Sequence, residues 1–151
     1  MAADSKGFKG DLGMALKTDD KTGVAAIEFA IVLPVLILLL FGIIEFSILF
    51  YDKAVITNAS REGARAGIVY RSTGPVSDTE IEEVVLDYCA DYLITFGETS
   101  SLTISTTPGF EAGDPLTVTV TYDYQFLVLP NFVTALTGGI NLAAITVMRM
   151  E

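Results

Sequence analysis

The chain contains no histidine and no tryptophan, and Cys89 is its single cysteine. Histidine and cysteine are the usual protein ligands of zinc and haem, and histidine is the usual general base of a catalytic triad. A single cysteine can form neither an intramolecular disulfide nor a redox pair. The sequence therefore predicts no metal, no cofactor and no enzymatic activity.

Basic residues are also scarce, with 9 lysines and arginines against 19 aspartates and glutamates, which gives a net charge of −10. Residues 1–23 carry four lysines and four aspartates, so the whole excess of negative charge lies in residues 24–151. Affinity for nucleic acid comes from cationic contacts to phosphate. We therefore expect no nucleic-acid partner.

One long apolar run is present. No charge occurs from Phe29 to Ile44, and the apolar character extends from Val24 to Phe50. A transmembrane helix needs about 20 mostly apolar residues, so the sequence predicts a single span in the lipid bilayer over residues 24–50. We expect residues 1–23 to be a polar leader and residues 51–151 to form one domain outside the membrane.

The remaining sequence predicts an α+β domain. The first helix is expected to continue to about residue 70, and a capping box of Ser77 and Glu80 opens a second helix over 78–96. The segments "SLTIST", "PLTVTVTYDYQF" and "INLAAITVMRM" predict three mostly antiparallel strands, with the helices on one face of the sheet. Cys89 lies beside the apolar stripe of the second helix, so we expect a buried, inert thiol. In the first hairpin loop, Glu111 and Asp114 indicate either turn chemistry or, less simply, a calcium ion.

A glutamate lies at each end of the apolar run. A charge at the centre of a membrane helix costs about 2.5–3.5 kcal/mol, and less near the edge. For Glu45 we expect only a marker of the water boundary. Glu28 lies five residues after Gly23, and cleavage there would create a free amino group at Val24. Glu28 of one subunit could then pair with that group in another subunit, which would compensate the carboxylate and fix the axial register; alternatively Glu28 too marks the boundary.

The first helix has further features that suit contact with other helices. Pro34 removes a backbone hydrogen bond and should loosen the helix, although membrane helices tolerate proline. Arg61 and Arg65 lie on one face, where Glu62 can pair with Arg65 and leave Arg61 for a partner; two solvated arginines are the alternative. A stripe of small residues permits close approach either of another subunit or of the chain's own sheet; it consists of Val55, Ala59, Gly63 and Ala66.

The segment "GVAAIEFAIVLPVLILLLFGIIEFSILFYDKAVITNASREGARAG", residues 23–67, resembles the processing site and first helix of type IV pilins and pseudopilins. The finer resemblance is to the TadE-like family of tight-adherence, or Flp-type, pilus systems. It is carried by Glu28-Phe29-Ala30, Pro34, the Glu45-Phe46 pair and "ASREGAR" at residues 59–65. The C-terminal "TVTVTYDYQF" and "GGINLAAITVMR" also look like the tail of that family.

The resemblance implies cleavage by a prepilin peptidase between Gly23 and Val24, with Glu28 and Phe29 acting in assembly. It implies a minor pseudopilin of the bacterial inner membrane with its C-terminal domain outside the cytoplasm. The implied partners are other pilins and pseudopilins, the peptidase, and the Tad secretion platform with its assembly ATPase. Two alternatives are kept: an unprocessed single-pass membrane protein whose outer domain binds a partner, and a tethered hydrolase with two convergent acids.

Overall fold

The computed structural model describes residues 20–69, 74–96, 101–107, 109, 111, 113–126, 128 and 139–150. Within these residues there are two helices, α1 (Asp20–Gly67) and α2 (Asp78–Tyr92). Three strands follow, β1 (Leu102–Thr107), β2 (Pro115–Tyr124) and β3 (Ile140–Arg149). The predicted α+β fold is confirmed. Most of the apolar segment "FLVLPNFV", residues 126–133 between β2 and β3, lies outside the described residues.

The chain divides into two compact units, Met1–Leu36 and Ile37–Glu151. The described part of the first unit is the beginning of α1, whose side chains from Gly23 to Val32 are all exposed. Within the described residues, one helical segment, Gly23–Gly67, is long and apolar enough to cross a membrane, with a mean hydropathy of 2.9 in its most apolar window. No residue of that window is buried in the protein, so its apolar surface is left for lipid or for another molecule.

The second unit contains an antiparallel sheet in the order β1-β2-β3. In its register Val120 pairs with Ile104 on one side and with Ala144 on the other. The alternation predicted for β2 is confirmed, because every second side chain of this strand is buried and the threonines between them are half-buried. The buried side chains are Leu116, Val118, Val120, Tyr122 and Tyr124.

Helix α2 begins as predicted. The Ser77 hydroxyl accepts from the Glu80 N–H, and the Glu80 carboxylate accepts from the Ser77 N–H. The predicted end at residue 96 is wrong, because α2 ends at Tyr92 and Leu93 is extended. The physical reason lies in another element: the N–H of Ile94 donates to the carboxylate of Asp52 on α1 at 3.1 Å, which replaces the helical hydrogen bond.

Helix α1 covers the sheet together with α2, and two of its glycines mark the closest approach. A Cβ at Gly63 would lie 2.5 Å from a methyl of Val85, and one at Gly67 would lie 2.5 Å from a methyl of Leu116. Val55 and Ala59 are buried and Ala66 is half-buried. The stripe of small residues is therefore used inside the chain, against α2 and the core.

Strand β3 lies at one edge of the sheet. Met150 exchanges backbone hydrogen bonds with Gly113 and Asp114, so the main chain of residue 150 faces the β2 side. Because the pairing runs without interruption and backbone groups alternate in direction along a strand, the carbonyl of Ala143 faces away from β2. The ammonium of Lys53 on α1 donates to this carbonyl.

Candidate functional site: carboxylates on the long helix

Glu45 is the most unexpected residue of α1. Its side chain is only 1% exposed, although its neighbours Ile44 and Phe46 are exposed. One carboxylate oxygen accepts from the Tyr124 hydroxyl, and the other accepts from the N–H of Val128 at 2.7 Å. The expectation that Glu45 only marks the water boundary is therefore wrong, because the folded domain itself buries and bonds this carboxylate.

The partner hydroxyl belongs to the buried end of β2. Burial raises the pKa of Tyr124 well above its usual range, and the hydrogen bond to Glu45 and the Glu45 charge raise it further. Tyr124 also meets Tyr122 and Phe126 edge-on, with ring centroids 6.2 and 6.1 Å away. Tyr124 is thus a neutral phenol that donates to Glu45, and its ring packs within an aromatic cluster. The one signal in the sequence was the tyrosine itself, since a buried phenol needs a hydrogen-bond partner.

A second acid lies two helical turns further along the same face of α1. Asp52 is fully buried; one of its oxygens accepts from Ile94, and the other, Oδ2, has no hydrogen-bond partner among the described residues. Burial raises the pKa of Asp52, and the Ile94 hydrogen bond partly opposes that shift. Asp52 therefore links α1 to the end of α2 while keeping one unsatisfied atom.

Glu28 contrasts with both of these acids. It is exposed, as are Gly23, Val24 and Phe29 around it. Within the described part of the chain, no hydrogen bond or ion pair involves Glu28. The predicted processing and assembly residues thus lie together on an exposed, helical stretch of α1.

The other residues predicted for helix packing or partner contact are divided by the fold. Ala59 and Gly63 are buried inside the second unit, whereas Arg61 and Arg65 are exposed, and Arg65 lies in the last turn of α1. Pro34 is exposed within the continuous helix. Arg61 and Arg65 are consequently available to solvent or to another molecule, and Ala59 and Gly63 are not.

The remaining polar candidates have structural roles. Cys89 is buried, and burial together with the Asp52 charge raises the pKa of its thiol to about 11, as expected for an inert thiol. The N–H of Glu111 donates to the Asp114 carboxylate at 3.1 Å, and the N–H of Asp114 donates back to the Glu111 carbonyl at 3.0 Å. Gly113 between them has a φ of 92°, which is the turn chemistry anticipated for this loop. Within the described ranges, no group of three or more acidic, histidine or cysteine side chains could hold a metal.

One comparison with known proteins gives a match. Residues 23–65 match a family model described as TadE-like protein, which confirms the family resemblance over this segment. No curated protein and no solved structure matches the chain. The matched segment lies on α1 and falls within the helical segment that is long and apolar enough to cross a membrane.

Proposed function

Because residues 23–65 match the TadE-like family, we propose that the chain is a minor pseudopilin of a Tad-type adhesive pilus. A prepilin peptidase cleaves it between Gly23 and Val24, and the mature α1 assembles with other pilins through its exposed apolar surface. Before assembly the protein is held in the inner membrane, with residues 51–151 outside the cytoplasm. The secretion platform and the assembly ATPase act on it there.

The difference in hydrogen bonding between Glu28 and Glu45 supports the proposal. Both glutamates lie on the same apolar helix, and Glu45 receives two donors from its own domain. Glu28 receives none within the described residues. An unpaired carboxylate beside lipid is costly, so its retention is explained if the amino group of a neighbouring subunit's Val24 neutralises it.

Cleavage is tested by Gly23→Ala. A Cβ at Gly23 would meet nothing within 4 Å, so the substitution leaves the fold intact and changes only what the peptidase recognises. We expect full-length protein in the membrane and no pili, read by N-terminal sequencing and electron microscopy. Gly42→Ala is the matched control, since its Cβ also meets nothing within 4 Å, and it should be processed normally. Normal piliation with an intact Met1 would instead favour the unprocessed single-pass protein.

Pairing is tested by Glu28→Ala, which should be cleaved and inserted but should fail to assemble. Glu62→Ala removes an exposed glutamate from the same helix and should leave assembly unchanged. Crosslinking of α1 to neighbouring pilins, together with pilus counts, measures both variants. Wild-type piliation in the Glu28→Ala strain would contradict the pairing.

A further inference from the structure

The Glu45 hydrogen bonds fix where the folded domain meets α1. They place the end of β2 and the residue Val128 at the level of Glu45. Asp123 and Gln125, on either side of Tyr124, are exposed. An exposed carboxylate is strongly disfavoured in hydrocarbon. The lipid interior must therefore end close to Glu45 on α1.

The helix length agrees with this limit. From Val24 to Ile44 the helix rises about 31 Å at about 1.5 Å per residue, which matches a hydrocarbon core of about 30 Å. A span continued to Phe50 would be about 40 Å long and would draw Asp123 into lipid. The apolar residues after Glu45 consequently need a different surrounding from those before it.

These later residues form an exposed aromatic patch on the face of α1 opposite the domain, consisting of Phe46, Phe50 and Tyr51. Their side chains are 54%, 67% and 44% exposed. The rings of Phe46 and Phe50 lie with centroids 6.4 Å apart. Between them, the Ser47 hydroxyl donates to the Ile43 carbonyl at 2.8 Å, so this serine is satisfied without water.

We propose that the aromatic patch lies in the headgroup region of the bilayer that α1 crosses, and that the Glu45–Tyr124 contact seats the domain on the membrane surface at this level. Tyrosine is enriched at the headgroup level of membrane proteins, and interfacial helices bury phenylalanine at the boundary between headgroups and acyl chains. The patch continues directly from the span, and lipid is therefore the molecule that covers it. The inference depends only on α1 crossing a bilayer, not on processing or on pilus assembly.

The absence of tryptophan makes a clean depth measurement available. Phe50→Trp in the full-length chain is reconstituted in phosphatidylcholine vesicles brominated either near the headgroup or near the acyl terminus. Its emission should be quenched by the shallow bromine and little by the deep one. Val35→Trp, inside the span, should show the reverse, and Val69→Trp, which is exposed beyond the end of α1, should be quenched by neither.

Gln125→Trp provides the second reading, because it reports on the domain rather than on the helix. It should be quenched weakly by the shallow bromine alone, as a residue at the membrane surface. If Phe50→Trp behaves like Val69→Trp, or if the deep bromine quenches it most, the patch is not interfacial and the proposal fails. Quenching that depends on protein density instead of bromination would show that a second copy covers the patch, which also overturns the proposal. Pseudopilin function is tested separately, since these vesicles contain neither peptidase nor pilus machinery.

Discussion

At the scale of single residues, Glu45 is stabilised by two donors from the β2 end, the Tyr124 hydroxyl and the Val128 N–H. Sequence reasoning gave Glu28 a pairing role because of the nearby Gly23, and it took Glu45 only for a marker of the water boundary. The difference between them depends on Tyr124, which is 79 residues from Glu45. No local pattern encodes a contact of that separation, so only the need of a buried phenol for a partner could have indicated it.

Tyr124→Phe tests this contact. The substitution leaves the buried carboxylate with one donor fewer, and we expect a loss of about 1–3 kcal/mol in the free energy of unfolding. Denaturant unfolding of the full-length protein in detergent, followed by circular dichroism, measures the loss. Tyr92→Phe is the control, because Tyr92 is half exposed and keeps its ring contact with Tyr88; it should change stability by less than about 0.5 kcal/mol. Equal losses in the two variants would contradict a specific Tyr124 contribution.

Asp52 should make the domain sensitive to pH. Burial raises the pKa of Asp52 in the folded state, so the protonated form is favoured on folding. The contribution of this one group to stability is therefore greatest below its ordinary pKa of 3.8. That contribution is lost as the pH rises through the folded-state pKa. We expect Asp52→Asn, which keeps an oxygen for the Ile94 N–H, to flatten the fall in melting temperature over this window. The exposed Asp87→Asn should retain the wild-type slope.

At the scale of elements, the strands were the most predictable part. The alternating threonines and apolar residues of β2 can bury only one face, so the choice of the buried face follows from the sequence alone. The start of α2 was equally local, because Ser77 and Glu80 cap each other. The end of α2 was not predictable from local sequence, because the Ile94 N–H donates to the carboxylate of Asp52 on α1. The spacing of apolar residues along a helix carries no information about a hydrogen bond to another element.

The close approach of α1 and α2 predicts the effect of Gly63→Ala. Its new methyl would lie 2.5 Å from Val85; overpacking costs about 1–3 kcal/mol and the gain in helix propensity is at most about 1 kcal/mol, so a net loss of about 1–2 kcal/mol is expected. Thermal unfolding in detergent gives the value. Gly42→Ala meets nothing within 4 Å and should be neutral or stabilising. A neutral Gly63→Ala would mean that the two helices can separate without cost.

At the scale of the whole molecule, the domain begins earlier on the helix than its composition suggests. The compact second unit begins at Ile37, and both Glu45 and Leu49 are buried in it. Hydropathy assigns these residues to the apolar run, because it averages over all faces of a helix. One stripe of α1 belongs to the domain while the rest of the same turns is exposed.

A fragment of residues 51–151 should consequently be poorly stable. It lacks Glu45 and Leu49, which leaves a cavity and two unpartnered donors, and we expect a melting temperature more than about 10 °C below that of fragment 37–151. Circular dichroism of both fragments in the same detergent measures the difference. Fragment 41–151 keeps both residues and should melt close to fragment 37–151. Similar melting of fragments 51–151 and 37–151 would show that residues 37–50 contribute nothing to the fold.

The Lys53–Ala143 contact has a consequence for proteins present at high density in a membrane. An open strand edge is a template on which identical chains can stack into cross-β aggregates. The Lys53 ammonium donates to the outward-facing carbonyl of Ala143, near the middle of β3. A charged side chain at this position obstructs the approach of a second strand. Helix α1, which contains the candidate membrane span, thus also supplies the side chain that protects the sheet edge against pairing with a second copy.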